Sequence, residues 1–408
     1  MTFESASLTA RGSSDNVRLR KSRASRLVER LLPALRAGRL RLVLPNGDVI
    51  DRCGEAPGSE ATILLRRWRG AWRILLGGEH GFADGYIDGD WSTPDLSELL
   101  ALYMHNDPAL AEQSAGGWLT RTRNRLAHNR HKNTRRGSRR NIAAHYDLGN
   151  AFYREWLDRG MNYSSALYAA NETLEVAQLA KLDRVACLLE LKGGERVLEI
   201  GCGWGALAER LVCRLGCTVT GITLSSEQLA YADTRLAGKS EAARADLRLL
   251  DYRDVEGQYD RIASIEMLEA VGERYWPTYF DQVRSSLRDG GIAVLQVITI
   301  AEQRYAAYRQ RPDFIQRHIF PGGMLPTLSH IQREAARVGL KVAQQESFGG
   351  SYARTLREWR SRFNHAAPKI DSLGFDQRFR RMWEYYLAYC EVGFRFGAID
   401  VNFIKLVG

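Results

Sequence analysis

VLEIGCGWGALAERL, residues 197–211, joins an apolar run to an amphipathic one through Gly201, Gly203 and Gly205. A glycine inside a regular element costs roughly 0.5–1 kcal/mol, so such a cluster marks a place where the backbone must turn tightly or come close to a ligand. The spacing is G-x-G-x-G, not the G-x-G-x-x-G of dinucleotide folds, and no Lys-Ser/Thr follows, which excludes a phosphate-binding P-loop. Glu199 stands just before the glycines.

Around this stretch, short apolar runs alternate with helical spacing: 196–200 then a helix 203–215, 217–222 then a helix 225–236, then runs at 246–250, 260–265 and 292–299. That order predicts a Rossmann-like α/β domain with a mostly parallel sheet covered on both faces. Such sheets bind ligands beyond the carboxyl ends of their strands, where the topology reverses. The second strand ends in Thr223, Leu224, Ser225 and Gln228, neutral groups where an NAD site carries an acid. The third ends in Asp251-Tyr252, an acid that can accept from an adenine amino group and a ring that can stack on it. The fourth ends in SIEMLEAVG, which puts Glu266 and Glu269 at the sheet edge. The ordered series reads as a site for S-adenosylmethionine (SAM).

The rest of the chain divides by composition. Residues 1–22 read as a disordered basic tail. Residues 23–116 read as a small α+β N-terminal domain, with a helix over 25–36, a hairpin at Pro45-Asn46-Gly47, strands at 62–68 and 71–76, and a helix opening at Ser92 to Pro94. Residues 117–142 form a basic linker, and 143–408 the catalytic domain. From Gln113 to Tyr146 there is no acidic residue, while Arg121, Arg123, Arg125, Arg130, Lys132, Arg135, Arg136, Arg139 and Arg140 fall inside that window. The net charge is +10; such runs attract the phosphates of nucleic acid or of anionic lipid. The longest apolar run, 291–301, is too short for a bilayer span. The N-terminus lacks the apolar core of a signal peptide, so a cytoplasmic location is expected. Cys53, Cys187, Cys202, Cys213, Cys217 and Cys390 form no CxxC pair and read as reduced, mostly buried thiols; no metal is expected. Segments 355–364 and 379–394 read as further helices, with Trp383, Tyr385, Tyr386 and Tyr389 as core residues or, alternatively, as walls of an apolar acyl tunnel.

AHYDLGNAFYREWLD, MNYSSALY, VLEIGCGWGALA, GITLSSEQ, LDYRDV, IEMLEAVG, FPGGMLPT and YYLAYCEVGFR follow one another in an order that resembles the cyclopropane-fatty-acyl-phospholipid synthase family, which includes the mycolic acid cyclopropane synthases. GFADGYIDGDW is similar to that family's small lipid-binding domain. The resemblance implies transfer of the SAM methyl to a cis double bond of a phospholipid acyl chain, with proton loss closing a cyclopropane. It places His145, Tyr146, Tyr163, Ser164, Gly201, Gly203, Gly205, Thr223, Leu224, Gln228, Asp251 and Tyr252 around SAM; Glu199 and Glu266, read from their strand-end positions, complete the cofactor-binding set. It implies a bicarbonate general base, held by a Glu and a Tyr that match Glu269 and Tyr352, by a His, and by backbone near a Cys. Cys390 matches another active-site position. Two positions depart from the pattern: Gln296 stands where the His is expected and Ser165 where the Cys is, so both join the catalytic set. Ala270 also replaces a residue that is often His. Gln296 can donate to an anion but carries no proton switch, which opens the alternative of a methyl-branched or methylene product.

The implied partners are unsaturated acyl chains and an anionic membrane surface, reached peripherally from the inner face; a homodimer is compatible with the resemblance. A nucleic-acid methyltransferase using the basic linker and a non-catalytic lipid-binding protein are the competing readings, and nucleic acid is not the expected partner.

Overall fold

A computed structural model describes residues 22–113 and 148–408. The basic tail, the basic linker, His145 and Tyr146 therefore lie outside the described residues. The N-terminal part comprises α1 (Arg23–Leu31), β1 (Ala37–Val43), β2 (Val49–Cys53), β3 (Ala56–Leu65), α2 (Trp68–Ile87), β4 (Trp91–Ser92) and α3 (Leu96–Gln113). Its sheet has the order β2-β1-β3-β4. The β1–β2 hairpin turns where the Pro-Asn-Gly signal lies. The stretch 71–76, expected as a strand, instead opens the long helix α2. Its apolar residues do not alternate between two faces, and Gly70 and Gly85 bring the helix close against Asp90 and Trp91. The backbone of α2 breaks at Gly78 (φ 55°, ψ −146°). Buried Asp90 explains the GDW of the lipid-domain motif: its carboxylate takes Arg69 at 2.7 Å and Arg73 at 2.9 Å.

The larger part runs α4 (Asn150–Arg154), α5 (Leu174–Leu188), β5 (Arg196–Ile200), α6 (Ala206–Leu215), β6 (Thr218–Thr223), α7 (Ser226–Leu236), β7 (Ala245–Leu249) and β8 (Tyr259–Ile265). It continues through α8 (Leu268–Val271), α9 (Trp276–Ser286), β9 (Leu287–Ile300), α10 (Glu302–Gln310), α11 (Phe314–His318) and α12 (Leu328–Arg337). The chain closes with β10 (Lys341–Ser347), α13 (Gly349–His365), α14 (Ala367–Ser372), α15 (Gln377–Arg395) and β11 (Ile399–Val407). The seven-stranded sheet has the order β10-β11-β9-β8-β5-β6-β7. Strands β5 to β9 pair in parallel, and β10 and β11 complete the sheet antiparallel. Four of the five residues of β5 are buried, as expected of a central strand covered on both faces. From β5 the chain winds outward through β6 and β7, then returns to β8 on the other side. The crevice between the ends of β5 and β8 is thus the topological switch point.

Helix α15 joins the two parts. Tyr86 of α2 donates to Glu384 at 2.7 Å, and buried Ser97 of α3 donates to Glu391 at 2.7 Å. All six cysteines are free thiols; Cys202 and Cys217 are buried, but Cys53 and Cys187 are exposed, against the expectation of mostly buried thiols. No helix among the described residues is long and apolar enough to cross a membrane. Nor do the described residues hold a cluster of His, Cys, Asp and Glu suited to a metal ion.

Candidate active site

The glycine loop works as its spacing requires. Gly201 (φ 85°) could carry no side chain without striking Met267, while Gly203 (φ 51°) faces open space. The loop borders a cavity of about 1250 Å³ at the switch point. Tyr163, Ser164, Glu199, Gly201, Gly203, Thr223, Leu224, Gln228, Tyr252, Glu266, Glu269, Tyr352 and Cys390 all line it. Gly205 shapes the turn behind it: a Cβ there would meet Ala232 of α7 at 2.9 Å. Asp251 is not among the lining residues, and Arg253 takes its carboxylate at 2.8 and 2.6 Å.

These residues fit SAM by several independent features. One oxygen of buried Glu199 has no hydrogen-bond partner. Burial raises its carboxyl to about 8, opposed by Lys181 and the Ala208 amide, so an incoming ammonium group would satisfy it. At the β6 end, Thr223 donates to Gln228 at 2.9 Å, keeping that side neutral and polar. Tyr252 presents a ring held edge-on by Tyr279 at 5.5 Å.

Beyond β8 the two glutamates part in character. Glu266 stands at φ +51°, left-handed backbone that a residue with a side chain rarely adopts. Its carboxylate accepts three hydrogen bonds: from the Ser165 backbone N–H at 2.9 Å, the Gln296 amide at 2.7 Å and the Tyr352 hydroxyl at 2.7 Å. Burial raises its pKa, and these donors together with Lys181 work against that rise. One oxygen of Glu269 accepts the Ile298 N–H, and the other has no partner. Burial, with repulsion from Glu266, lifts it to about 8. A carboxylate held by three donors keeps its charge, and the poorly partnered neighbour takes up the proton. Three donors and Lys181 thus favour the charged form of Glu266, while burial and the neighbouring carboxylate favour the protonated form of Glu269. The Ser165 hydroxyl turns away to the Ala166 carbonyl, so only its backbone serves the site. Cys390 lines the cavity as a thiol whose pKa burial pushes up.

One functional residue escapes the sequence reading. Lys181 is fully enclosed, donates to Ser164 at 2.8 Å, and is pulled down to about 8 by burial despite Glu266, Asp158 and Glu199 nearby. Its signal is a lysine in the buried stripe Leu174, Ala177, Val185, Leu188 of α5. Tyr385, Tyr386 and Tyr389, read as core or as tunnel walls, line the cavity, with Tyr385 and Tyr386 buried and Tyr386 sharing a hydrogen bond with Tyr163 at 2.9 Å; Trp383 is core. The cavity also runs on between the two parts of the molecule, past Leu42, Ile63, Ala71, Ile74 and Leu99.

A parallel sheet with this strand order, a glycine loop at its switch point and a cavity shaped for SAM define an S-adenosylmethionine-dependent methyltransferase. The chain belongs to the mycolic acid cyclopropane synthetase family, whose profile matches residues 132–404. It is 38% identical to the tuberculostearic acid methyltransferase of Mycobacterium tuberculosis over 89% of this chain and 86% of that one. It is 34% identical to the cyclopropane-fatty-acyl-phospholipid synthase of Escherichia coli over 82% of this chain and 84% of that one. Among solved structures it is similar to the cyclopropane synthase MmaA2 of M. tuberculosis, with a TM-score of 0.63 at 30% identity, covering 66% of this chain and 98% of that one. The mycolic acid cyclopropane synthase CmaA1 in complex with SAH and CTAB superposes with a TM-score of 0.62 at 30% identity, over 66% of this chain and 97% of that one.

Proposed function

We propose that the protein methylates a cis double bond in the acyl chain of an unsaturated phospholipid. The observation that carries this reading is the continuity of one cavity: a polar end with the SAM loop and two carboxylates opens directly into an apolar passage lined by both parts of the molecule. Bound SAM supplies an electrophilic methyl group. The residues then have three tasks. Tyr386, Cys390 and the aliphatic passage keep water from a carbocation that it would quench. The passage aligns the alkene with the polar end. A carboxylate at the end of β8 takes the proton.

A methylene or methyl-branched product is the reading we favour. Gln296 replaces the expected histidine, and the relative similar over 89% of this chain carries a methyltransferase name. A cyclopropane is the second reading, supported by likeness to the E. coli synthase. Incubating the protein with labelled SAM and vesicles of unsaturated phosphatidylglycerol tests both. Mass spectrometry should show acyl chains gaining one methylene unit. Mild hydrogenation then adds hydrogen to a methylene product and leaves a ring unchanged. Absence of any mass gain would end the proposal.

The passage nears the surface beside α1 and α2, where Leu27, Leu31, Trp72 and Leu76 are exposed, Leu76 to 79%. Arg23, Arg26 and Arg30 are exposed on the same helix as Leu27 and Leu31. Charge plus an apolar surface makes a reversible anchor for an anionic membrane, and we place peripheral docking there. A homodimer remains compatible with this surface, and nucleic acid is not proposed as a partner.

A further inference from the structure

We infer that Glu266 is the general base of this enzyme, built into the chain where the family resemblance calls for a bound bicarbonate. The inference deepens the proposed function and rests on it for the identity of the reaction. The resemblance assigns the anion to Glu269, to a tyrosine, to the residue at position 296 and to backbone beside Ser165. In this structure the last three already point at the carboxylate of Glu266. Ser165 N–H and Gln296 Nε2 donate to one oxygen of Glu266, and the Tyr352 hydroxyl donates to the other. A bicarbonate would have to displace that carboxylate and bring a second negative charge beside it, so the residues present do not fit the ion.

The backbone supports the same assignment. Position 266 lies in left-handed space, at φ +51°, where glycine would be free of strain. A glutamate here offsets that strain through its side chain, and its carboxylate faces the cavity between the SAM loop and the apolar passage. A glutamine at 296 suits this arrangement. Its amide donates to a fixed carboxylate and, unlike a histidine, takes up no proton itself.

The step balances without an outside base. The alkene π pair takes the methyl group from sulfur, which keeps the electrons of the broken bond as a neutral thioether, and the other alkene carbon becomes cationic. An oxygen of Glu266 accepts a proton from the new methyl group. The electrons of that C–H bond close a ring onto the cationic carbon. Alternatively, after a hydride moves to that carbon from the methylated one, they form an exocyclic double bond. The neutral carboxylic acid returns its proton to solvent between turnovers.

The test compares wild type, E266Q and E266G in buffer freed of carbon dioxide. Wild-type turnover should change less than about twofold when bicarbonate is added. E266Q should lose about a thousandfold in kcat, within the range of a general base, while SAM affinity stays within about threefold. E266G relieves the left-handed strain and empties the space between the three donors. It should bind carbon-13 bicarbonate by NMR, where wild type does not, and added bicarbonate or formate should restore its turnover at least tenfold. Bicarbonate binding to wild type, wild-type turnover that needs bicarbonate, or an E266Q enzyme with more than half its activity would overturn the inference. Lack of wild-type turnover on any unsaturated phospholipid would instead remove the proposed function, and the NMR comparison would still decide between carboxylate and ion.

Discussion

The two ends of the cavity are built on opposite principles. At the sheet end, position is set by hydrogen bonds: Glu266 has three donors, and Thr223 and Gln228 hold each other. At the N-terminal end, position is set by volume alone, through Leu42, Ile63, Ala71 and Leu99. The first arrangement chooses a reaction, the second chooses what reaches it. Damage at the two ends should therefore look different, in SAM binding at one and in lipid turnover at the other.

Glu199→Ala should give the largest effect. It removes the buried, unpartnered carboxylate oxygen at the end of β5. Charge-assisted hydrogen bonds contribute about 1.5–3 kcal/mol, so calorimetry should find SAM affinity reduced about 10- to 100-fold. Unchanged affinity would detach Glu199 from the donor site. Ala71→Phe comes next. It fills the passage from α2, in the N-terminal part, and should cut turnover of a long-chain phospholipid about tenfold while SAM affinity holds. If both quantities fall together, the two ends are not separable.

Glu269→Gln probes charge within the polar end. Its carboxyl titrates at about 8 in the folded protein, against about 4.3 in an unfolded chain. Between those values the folded protein keeps a proton that the unfolded chain has lost. Stability is therefore full below the lower value, falls as the pH climbs through the window and is level above it. The glutamine variant lacks this loss. Denaturation should show it gaining roughly 1–3 kcal/mol on wild type from about pH 5 to about pH 8. A constant difference would mean that Glu269 is ionised throughout. Ser165→Ala should do least, changing turnover by no more than about twofold, because only the backbone of this residue reaches Glu266. A tenfold loss would transfer the contact to the hydroxyl.

The same contrast decides how much could be read in advance. The polar end is written in short strings. A strand, its end and its turn lie within a few residues, so Glu199, the three glycines, Gln228, Tyr252 and the glutamate pair all declare themselves locally, and the sheet with them. Asp251 lies just past its strand as the string says, and the structure adds a partner the string does not show, Arg253 two residues on. The apolar end has no string. Its walls come from α1, β1, β3, α2 and α3, and each leucine there looks like ordinary core. The stretch 71–76 went the wrong way for a related reason: six residues before a Gly-Gly pair are too few to separate strand from helix by periodicity. Lys181 was visible only to a reader who first placed α5 and then asked why its buried stripe carries an amine.

Helix α15 gives the architecture a practical edge. One side of it receives Tyr86 and Ser97 from the N-terminal sheet and helices; the other side holds Tyr386 and Cys390 over the reacting groups. Removing the N-terminal part would thus strip Tyr86 and Ser97 from Glu384 and Glu391 and take away the passage walls, while leaving Tyr386 and Cys390 on a helix with one side bare. A domain swap among relatives would need to keep partners for those two glutamates.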